Sequence, residues 1–191
     1  GDCLQGQPVS YYYNYIDRER NIVNDIMNAI GYDAATIGNH DIETGHQIYD
    51  KWQANCKYPV LAANMIDTET DKPYLQPYTV LERCGVRIAV LGMVTPTIDY
   101  WLPNSLWSGL RFQNMVECAK QWVPFIKEKE NPHLIVGLFH SGLEGGVESY
   151  HGLENSTRLV AENVPGFDLI LYGHDHKNAV NIFKSDSSNT V

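Results

Sequence analysis

Strongly apolar runs that alternate with amphipathic stretches are the feature that most constrains the fold of this chain. The runs VRIAVLGMV (86–94), HLIVGLFH (133–140) and FDLILYGHDH (167–176) are apolar on both faces, as are strands in the centre of a sheet. FQNMVECAKQWVPFIKEKE (112–130) and NSTRLVAENV (155–164) have the spacing of amphipathic helices, with a kink expected at the proline in the first. Strands of this kind need helices to cover them, so the pattern predicts an α/β sandwich with helices outside.

The remaining elements follow from the same periodicity and from turn residues. A helix is predicted within 17–33, with Asp17 as its N-cap and Gly31 closing it. A hairpin is predicted over 78–95, turning near Cys84 and Gly85. The shorter predicted elements are a helix at 46–56 and strands at 33–38, 58–65 and 178–183. We therefore expect one domain over 1–183, followed by a disordered or linker tail over 184–191.

Charge and composition exclude several classes of function. The net charge is −9, with 23 acidic against 14 basic residues, which argues against a partner such as a nucleic-acid duplex bound through a basic face. No apolar run reaches the length of a membrane span. The four cysteines, Cys3, Cys56, Cys84 and Cys118, are scattered without a CxxC pair, and we expect free thiols.

Polar side chains with metal-binding chemistry follow several of the predicted strands. They come from four separate segments: Asp2, Asn39 with His40, His140, and His174 with His176. In α/β folds, ligands bind at the carboxyl ends of the strands, so these side chains are expected at one edge of a sheet. Carboxylate, carboxamide and imidazole without thiolate favour zinc, manganese or iron over a cysteine-rich structural zinc site. Asp2 is suited to bridge two cations, because a carboxylate has two oxygens.

The residues alone leave other interpretations open. Single histidines after strands are often structural, and the same fold can serve as a non-catalytic binding or scaffolding module. A mononuclear hydrolase of another family, such as an amidohydrolase, also uses His and Asp at strand ends. The Asn39–His40 pair favours a phosphate substrate, because a carboxamide ligand beside a free imidazole suits phosphate better than an amide carbonyl.

The ordered motifs GDCLQG, GNHD, FHSG and GHDH resemble those of the calcineurin-like metallophosphoesterases. The stretches GYDAATIGNHD, YPVLAANM and DLILYGHDH are most similar to the 5′-nucleotidase and 2′,3′-cyclic-nucleotide phosphodiesterase branch. The resemblance covers nearly the whole chain. It implies a two-sheet β-sandwich flanked by helices and a dinuclear centre that activates a water to hydrolyse phosphate esters.

The resemblance also implies a role for each motif residue. Asp2 corresponds to the bridging metal ligand; Asn39, His140 and His174 complete one metal site, and His176 belongs to the other. His40 corresponds to a catalytic histidine that faces the phosphate without binding metal. Glu43 stands where this branch has an acidic residue oriented toward that histidine.

The chain departs from the family pattern in two places. The family's Asp-x-His motif and first strand precede GDCLQG, and the C-terminal nucleotide-binding domain would follow the tail. We therefore expect a fragment of a longer enzyme that uses two divalent ions (Mn, Zn, Fe or Mg). The fragment itself is expected to hold at most one of them tightly, with His176's site weak or empty.

The resemblance further implies a small-molecule nucleotide substrate and an exported enzyme, periplasmic or at the cell surface. The segment VTPTIDYWLPNSLWSGLRF (94–112) is more similar to the cyclic-nucleotide phosphodiesterase/3′-nucleotidase side of the branch than to the 5′-nucleotidase side, chiefly through Pro96, Ile98, Trp101 and Gly109. This favours a 2′,3′-cyclic-nucleotide 2′-phosphodiesterase/3′-nucleotidase. The alternatives are a 5′-nucleotidase of the same branch and an inactive binding fragment.

Overall fold

The computed structural model describes residues 1–185 and 188–190, with side chains for 1–184. Its α-helices are α1 (Pro8–Tyr11), α2 (Ile22–Ile30), α3 (Asn39–Ile42), α4 (His46–Asn55), α5 (Ile98–Trp101), α6 (Met115–Glu130) and α7 (Thr157–Asn163). A π-helical turn spans Tyr12–Ile16 and a 3₁₀ turn spans Asn104–Leu106. Within the described chain, no helix is long and apolar enough to cross a membrane.

The strands are short except in the middle of the chain. They are β1 (Ala35–Thr36), β2 (Val60–Leu61), β3 (Met65–Asp67), β4 (Lys72–Pro73), β5 (Tyr78–Arg83), β6 (Val86–Val94), β7 (Leu110–Phe112), β8 (Leu134–His140), β9 (Glu148–Ser149), β10 (Gly152–Leu153), β11 (Leu169–Tyr172), β12 (Phe183–Ser185) and β13 (Ser188–Thr190).

A four-stranded sheet with the order β11-β8-β6-β5 forms the centre of the fold. β6, β8 and β11 run parallel, and β5 joins β6 as an antiparallel hairpin. The hairpin turns at Cys84 and Gly85, whose φ angles of 51° and 78° are those of a tight two-residue turn. Because β6, β8 and β11 are parallel, their carboxyl ends lie at one edge of the sheet.

Smaller sheets flank this centre. β1 and β2 pair in parallel, while β4-β3-β7 forms an antiparallel sheet. The Thr36 hydroxyl joins β1 to the centre by donating to the carbonyl oxygens of Leu61 (2.9 Å) and Met93 (3.2 Å). β1 is short because the chain turns at Gly38 to begin α3. The predicted α/β fold class is confirmed, with strands divided among several hydrogen-bonded sheets.

Two apolar clusters fill the space between strands and helices. One contains residues of α6 and α7 packed on the central sheet, including Phe139, Ile126 and Val160. Burial in it raises the pKa of the Cys118 thiol to about 12, so this thiol behaves as a small apolar side chain. The other cluster lies around β1 and β2 and includes the completely buried Trp52 of α4.

Helix boundaries follow the predicted pattern except at the starts of α2 and α6. α6 begins at Met115 rather than Phe112, because Asn114 caps its first turn and Phe112 belongs to β7. α2 begins at Ile22 rather than near Asp17, because the Asn21 side chain accepts hydrogen bonds from two N–H groups of the first turn. Gly31 closes α2 in a left-handed conformation (φ 81°), as predicted. α6 continues through Pro124 to Glu130.

The C-terminal segment differs from the expectation. The strand predicted over 178–183 is absent before Phe183, since Val180 and Ile182 are exposed (85% and 70%) and gain no buried face there. In the predicted tail, β12 pairs with β13, and Asp186, Ser187 and Val191 lie outside the described residues. The division into 1–183 and 184–191 stays a prediction.

Candidate metal centre and active site

Three of the predicted site residues lie at or just after the ends of strands. His140 is the last residue of β8, and His174 follows β11 by two residues. Since Tyr172 pairs with Phe139 in parallel register, the two histidines leave the sheet at the same edge. Asn39 is the first residue of α3, which begins three residues after the end of β1.

Four of the five predicted metal ligands meet there. One ligand atom from each of Asp2, His140 and His174 lies within 4.8 Å of the others. The His140 Nε2 atom lies 3.0 Å from Asp2 Oδ2 and 3.0 Å from Asn39 Oδ1. The fifth, His176, is exposed and lies outside this group.

The carboxylate of Asp41 holds the segment that carries Asp2. Asp41 is completely buried and accepts N–H groups from Asp2, Cys3 and Leu4 at 2.7, 2.7 and 2.9 Å. Its second oxygen also accepts from Gly38 N at 2.9 Å. The buried charge is therefore satisfied by backbone donors, and it ties the first residues to the start of α3.

The approach of these two segments is close. A Cβ atom on Gly38 would lie 2.6 Å from the backbone nitrogen of Asp2, so only glycine fits at this position. Asp2 and His174 also adopt left-handed backbone conformations, with φ angles of 64° and 90°. Strained backbone of this kind concentrates at functional sites, where the surrounding contacts hold it in place.

Glu154 supports His174 and was not anticipated from the sequence. Its Oε1 atom accepts from His174 Nε2 at 2.9 Å, while Oε2 accepts from Val147 N at 2.7 Å. A proton held on Nε2 leaves the Nδ1 lone pair of His174 available to a cation. Carboxylates that orient metal-binding imidazoles in this way set both the tautomer and the direction of the ring.

His40 and Glu43 form a pair beside the metal-binding group. Glu43 Oε2 lies 2.7 Å from His40 Nδ1, one helical turn away. The backbone N–H of His40 donates to Asp2 Oδ1 at 2.9 Å, which fixes the start of α3 against Asp2. The His40 ring is half-exposed, as a group that meets a substrate must be.

The protonation states of the group suit a cation. Burial lowers the pKa of His140, and Asp2 offsets this only in part, so His140 is neutral at neutral pH. Burial would raise the pKa of Asp2, but hydrogen bonds and charge from His140 and His40 hold it below its ordinary value. An ionised carboxylate, a carboxamide oxygen and imidazole nitrogens match the donors of a divalent transition metal or zinc.

The role of Asp41 could have been predicted from the sequence, whereas the role of Glu154 could not. Asp41 ends GNHD and occupies the third position of α3, where an acidic side chain commonly caps a helix start, so its role could have been proposed. Glu154 lies in a loop after β10, and only the fold brings it to His174. No spacing in the sequence would have identified it.

The chain is similar to known proteins over most of its length. A family model described as calcineurin-like phosphoesterase matches residues 1–178. A 2′,3′-cyclic-nucleotide 2′-phosphodiesterase/3′-nucleotidase from Yersinia enterocolitica is 31% identical over 188 residues, which cover 92% of this chain and 28% of that protein. A 5′-nucleotidase from Vibrio cholerae is 32% identical over 155 residues, which cover 79% of this chain and 28% of that protein. The chain thus spans about 28% of the length of these two curated relatives.

A solved structure agrees with the sequence relatives. The calcineurin-like phosphoesterase from Bacillus subtilis aligns with a TM-score of 0.81 at 29% identity, over 97% of this chain and 58% of that one. The family match covers the segments that carry Asp2, Asn39, His140 and His174. The chain belongs to the calcineurin-like phosphoesterases.

Proposed function

We propose that this chain is the catalytic part of a metal-dependent phosphoesterase that hydrolyses nucleotides. The convergence of Asp2, Asn39, His140 and His174 at one sheet edge, beside the His40–Glu43 pair, carries the proposal. These donors suit a divalent cation, and the histidine beside them is not needed to bind it. A structural role alone would not require two imidazoles, a carboxylate and a carboxamide at one point.

The residues divide into cation-binding and substrate-binding groups. Asp2, Asn39, His140 and His174 would hold a divalent ion, Mn, Zn, Fe or Mg. Such ions lower the pKa of bound water and stabilise negative charge on phosphoryl oxygens. Glu154 keeps His174 oriented through Nε2, and Asp41 keeps Asp2 in place through the backbone.

His40 is the proposed catalytic acid. Glu43 holds the Nδ1 side of the ring, so the Nε2 side is turned away from Glu43. A proton on Nε2 can hydrogen-bond to the phosphoryl group and pass to the leaving oxygen as the ester bond breaks. Glu43 acts through His40 and is a positioning residue.

The number of bound ions is part of the proposal. In a longer protein we propose two ions, bridged by Asp2, with His176 contributing to the second site. The chain on its own is proposed to bind one ion tightly, because His176 is exposed and apart from the group that converges on His140. Two tightly held equivalents per chain after dialysis would contradict this.

We propose 2′,3′-cyclic nucleotides and then 3′-nucleotides as substrates. Support comes from the segment around Trp101 and from the relative in Yersinia enterocolitica, which is named for this activity. 5′-Nucleotides are the second candidate, favoured by the similarity to the Vibrio cholerae 5′-nucleotidase. The proposal includes a C-terminal nucleotide-binding domain in the longer protein and an exported, periplasmic or cell-surface location.

The test is a side-by-side assay of the longer protein with Mn²⁺ and 2′,3′-cyclic AMP, 3′-AMP and 5′-AMP. We expect the cyclic nucleotide and 3′-AMP to be hydrolysed with the higher kcat/KM. If 5′-AMP exceeds both by about tenfold, some 1.4 kcal/mol in the transition state, the 5′-nucleotidase assignment replaces ours. If the metal-loaded protein hydrolyses none of the three nucleotides, the catalytic proposal is wrong and the binding or scaffolding interpretation replaces it.

A further inference from the structure

A cavity of about 600 Å³ lies next to the segment that joins α3 to α4, since Thr44 and Gly45 line it. Its wall is built from three segments: the π-helical turn and the loop after it, the start of α4, and residues 105–108. Thr44, the residue after Glu43, lines it. The cavity therefore adjoins the proposed active site without including any of the metal-binding residues.

The charge of this wall is opposite to that of the chain as a whole. Arg18, Arg20 and Lys51 line the cavity, and no acidic side chain does. The chain carries 14 basic residues and a net charge of −9, so a concave wall with three cations differs in charge from the chain as a whole. Arg20 is paired with Asp25.

The charged groups of Arg18 and Lys51 are available to a ligand. Among the described residues, neither forms an ion pair with a carboxylate. Arg18 donates through Nε to the Tyr15 carbonyl at 3.3 Å, which leaves the rest of its guanidinium unused. Lys51 donates to the Arg18 carbonyl and so fixes the Arg18 loop against α4. Two unpaired cations held at one cavity create a local positive potential in an acidic protein.

Neutral donors complete the wall. Tyr13, Ser105 and Ser108, which carry hydroxyl groups, also line the cavity, and Gly45 precedes α4 there without a side-chain cap. A guanidinium, an ammonium and hydroxyl donors together form the donor set that binds phosphate oxygens. Phosphate fits this set better than a carboxylate, because it accepts from several directions at once.

We propose that this cavity is a phosphate-binding site, separate from the metal centre, that takes inorganic phosphate or the phosphate group of a small molecule. The choice of phosphate rests on the proposed function, since such an enzyme works among phosphate esters and releases phosphate. Binding needs neither metal nor turnover. Failure of the binding test would therefore leave the proposed function standing, and an inactive protein would leave this site testable.

The experiment is calorimetric titration of the EDTA-dialysed, metal-free chain with inorganic phosphate. We expect saturable binding that weakens by about tenfold or more in R18M and in K51M, because each removes one charged hydrogen-bond donor. K120M is the matched control, since Lys120 is exposed on α6 and pairs with Glu117. K120M and H40A should both bind phosphate as the unchanged chain does.

Two further ligands identify what is recognised. AMP should bind about as tightly as phosphate, and adenosine should not compete with phosphate, because the cations bind only the anionic group. The proposal is overturned if phosphate shows no saturable binding below about 10 mM. It is also overturned if R18M binds normally, if H40A abolishes binding, or if adenosine competes as well as AMP. Near-ultraviolet circular dichroism of each variant verifies that it is folded.

Discussion

The substitution E154Q tests whether the Glu154 carboxylate orients the His174 ring for metal binding. Glu154 uses one oxygen for His174 Nε2 and the other for Val147 N, so both acceptors are occupied. Glutamine has one acceptor oxygen, and its NH₂ group would face a donor. One of the two hydrogen bonds is therefore lost, and the remaining bond loses its charge. Loss of such a supporting carboxylate weakens metal binding by about 10–100-fold, or about 1.4–2.7 kcal/mol.

The assay for E154Q is a Zn²⁺ titration in competition with a chromophoric chelator. E162Q is the matched control, because Glu162 is on α7 and pairs only loosely with Arg158 at 3.7 Å. We expect the dissociation constant to rise for E154Q and to stay unchanged for E162Q. An unchanged dissociation constant in folded E154Q would refute the view that Glu154 orients a metal-binding imidazole.

Three other substitutions separate metal binding, catalysis and stability. G38A should abolish metal binding because its Cβ would displace Asp2, whereas G173A, with open space around its Cβ, should bind normally by the same titration. H40A should lower turnover of the longer protein by roughly 10²–10⁴-fold with unchanged metal content by elemental analysis, and metal loss would contradict its role. N64A should lower the free energy of unfolding in urea by about 2–4 kcal/mol, because completely buried Asn64 makes three hydrogen bonds to backbone groups; a loss below about 1 kcal/mol would contradict this.

The layout of the central elements was accessible from local patterns. Apolar runs of strand length, such as 86–94, have one stable location, between helices in the centre of a sheet. Turn chemistry at Cys84 and Gly85 fixed the hairpin between β5 and β6. The positions of these elements depend on residues close together in the chain, so they can be predicted from the sequence.

Other elements depend on tertiary contacts that a local pattern does not contain. Both Asp17 and Asn21 can cap a helix, and the structure uses Asn21, which Asn14 also contacts at 3.1 Å. The segment 178–183 has strand-like residues, but Val180 and Ile182 find no buried face. Propensity in such a segment is outweighed by the absence of burial.

The candidate site shows the same division. Asn39, His140 and His174 could be located because parallel strands end at a common edge, and the Asp2 motif supplied the carboxylate. Glu154 could not, since it reaches His174 from a loop 20 residues earlier. The phosphate-binding cavity likewise combines distant segments whose basic residues are unremarkable in the sequence.

The most direct test of the central claim is the location of bound metal in crystals of the chain grown with Zn²⁺, by anomalous scattering at the zinc edge. We expect one strong peak about 2.0–2.2 Å from Asp2, Asn39, His140 and His174, with Nδ1 of His174 as the ligand atom. E154Q crystals under the same conditions should show a weaker peak at the same position. A zinc ion bound elsewhere, with this group empty at saturating metal, would contradict the claim that these residues form the metal centre.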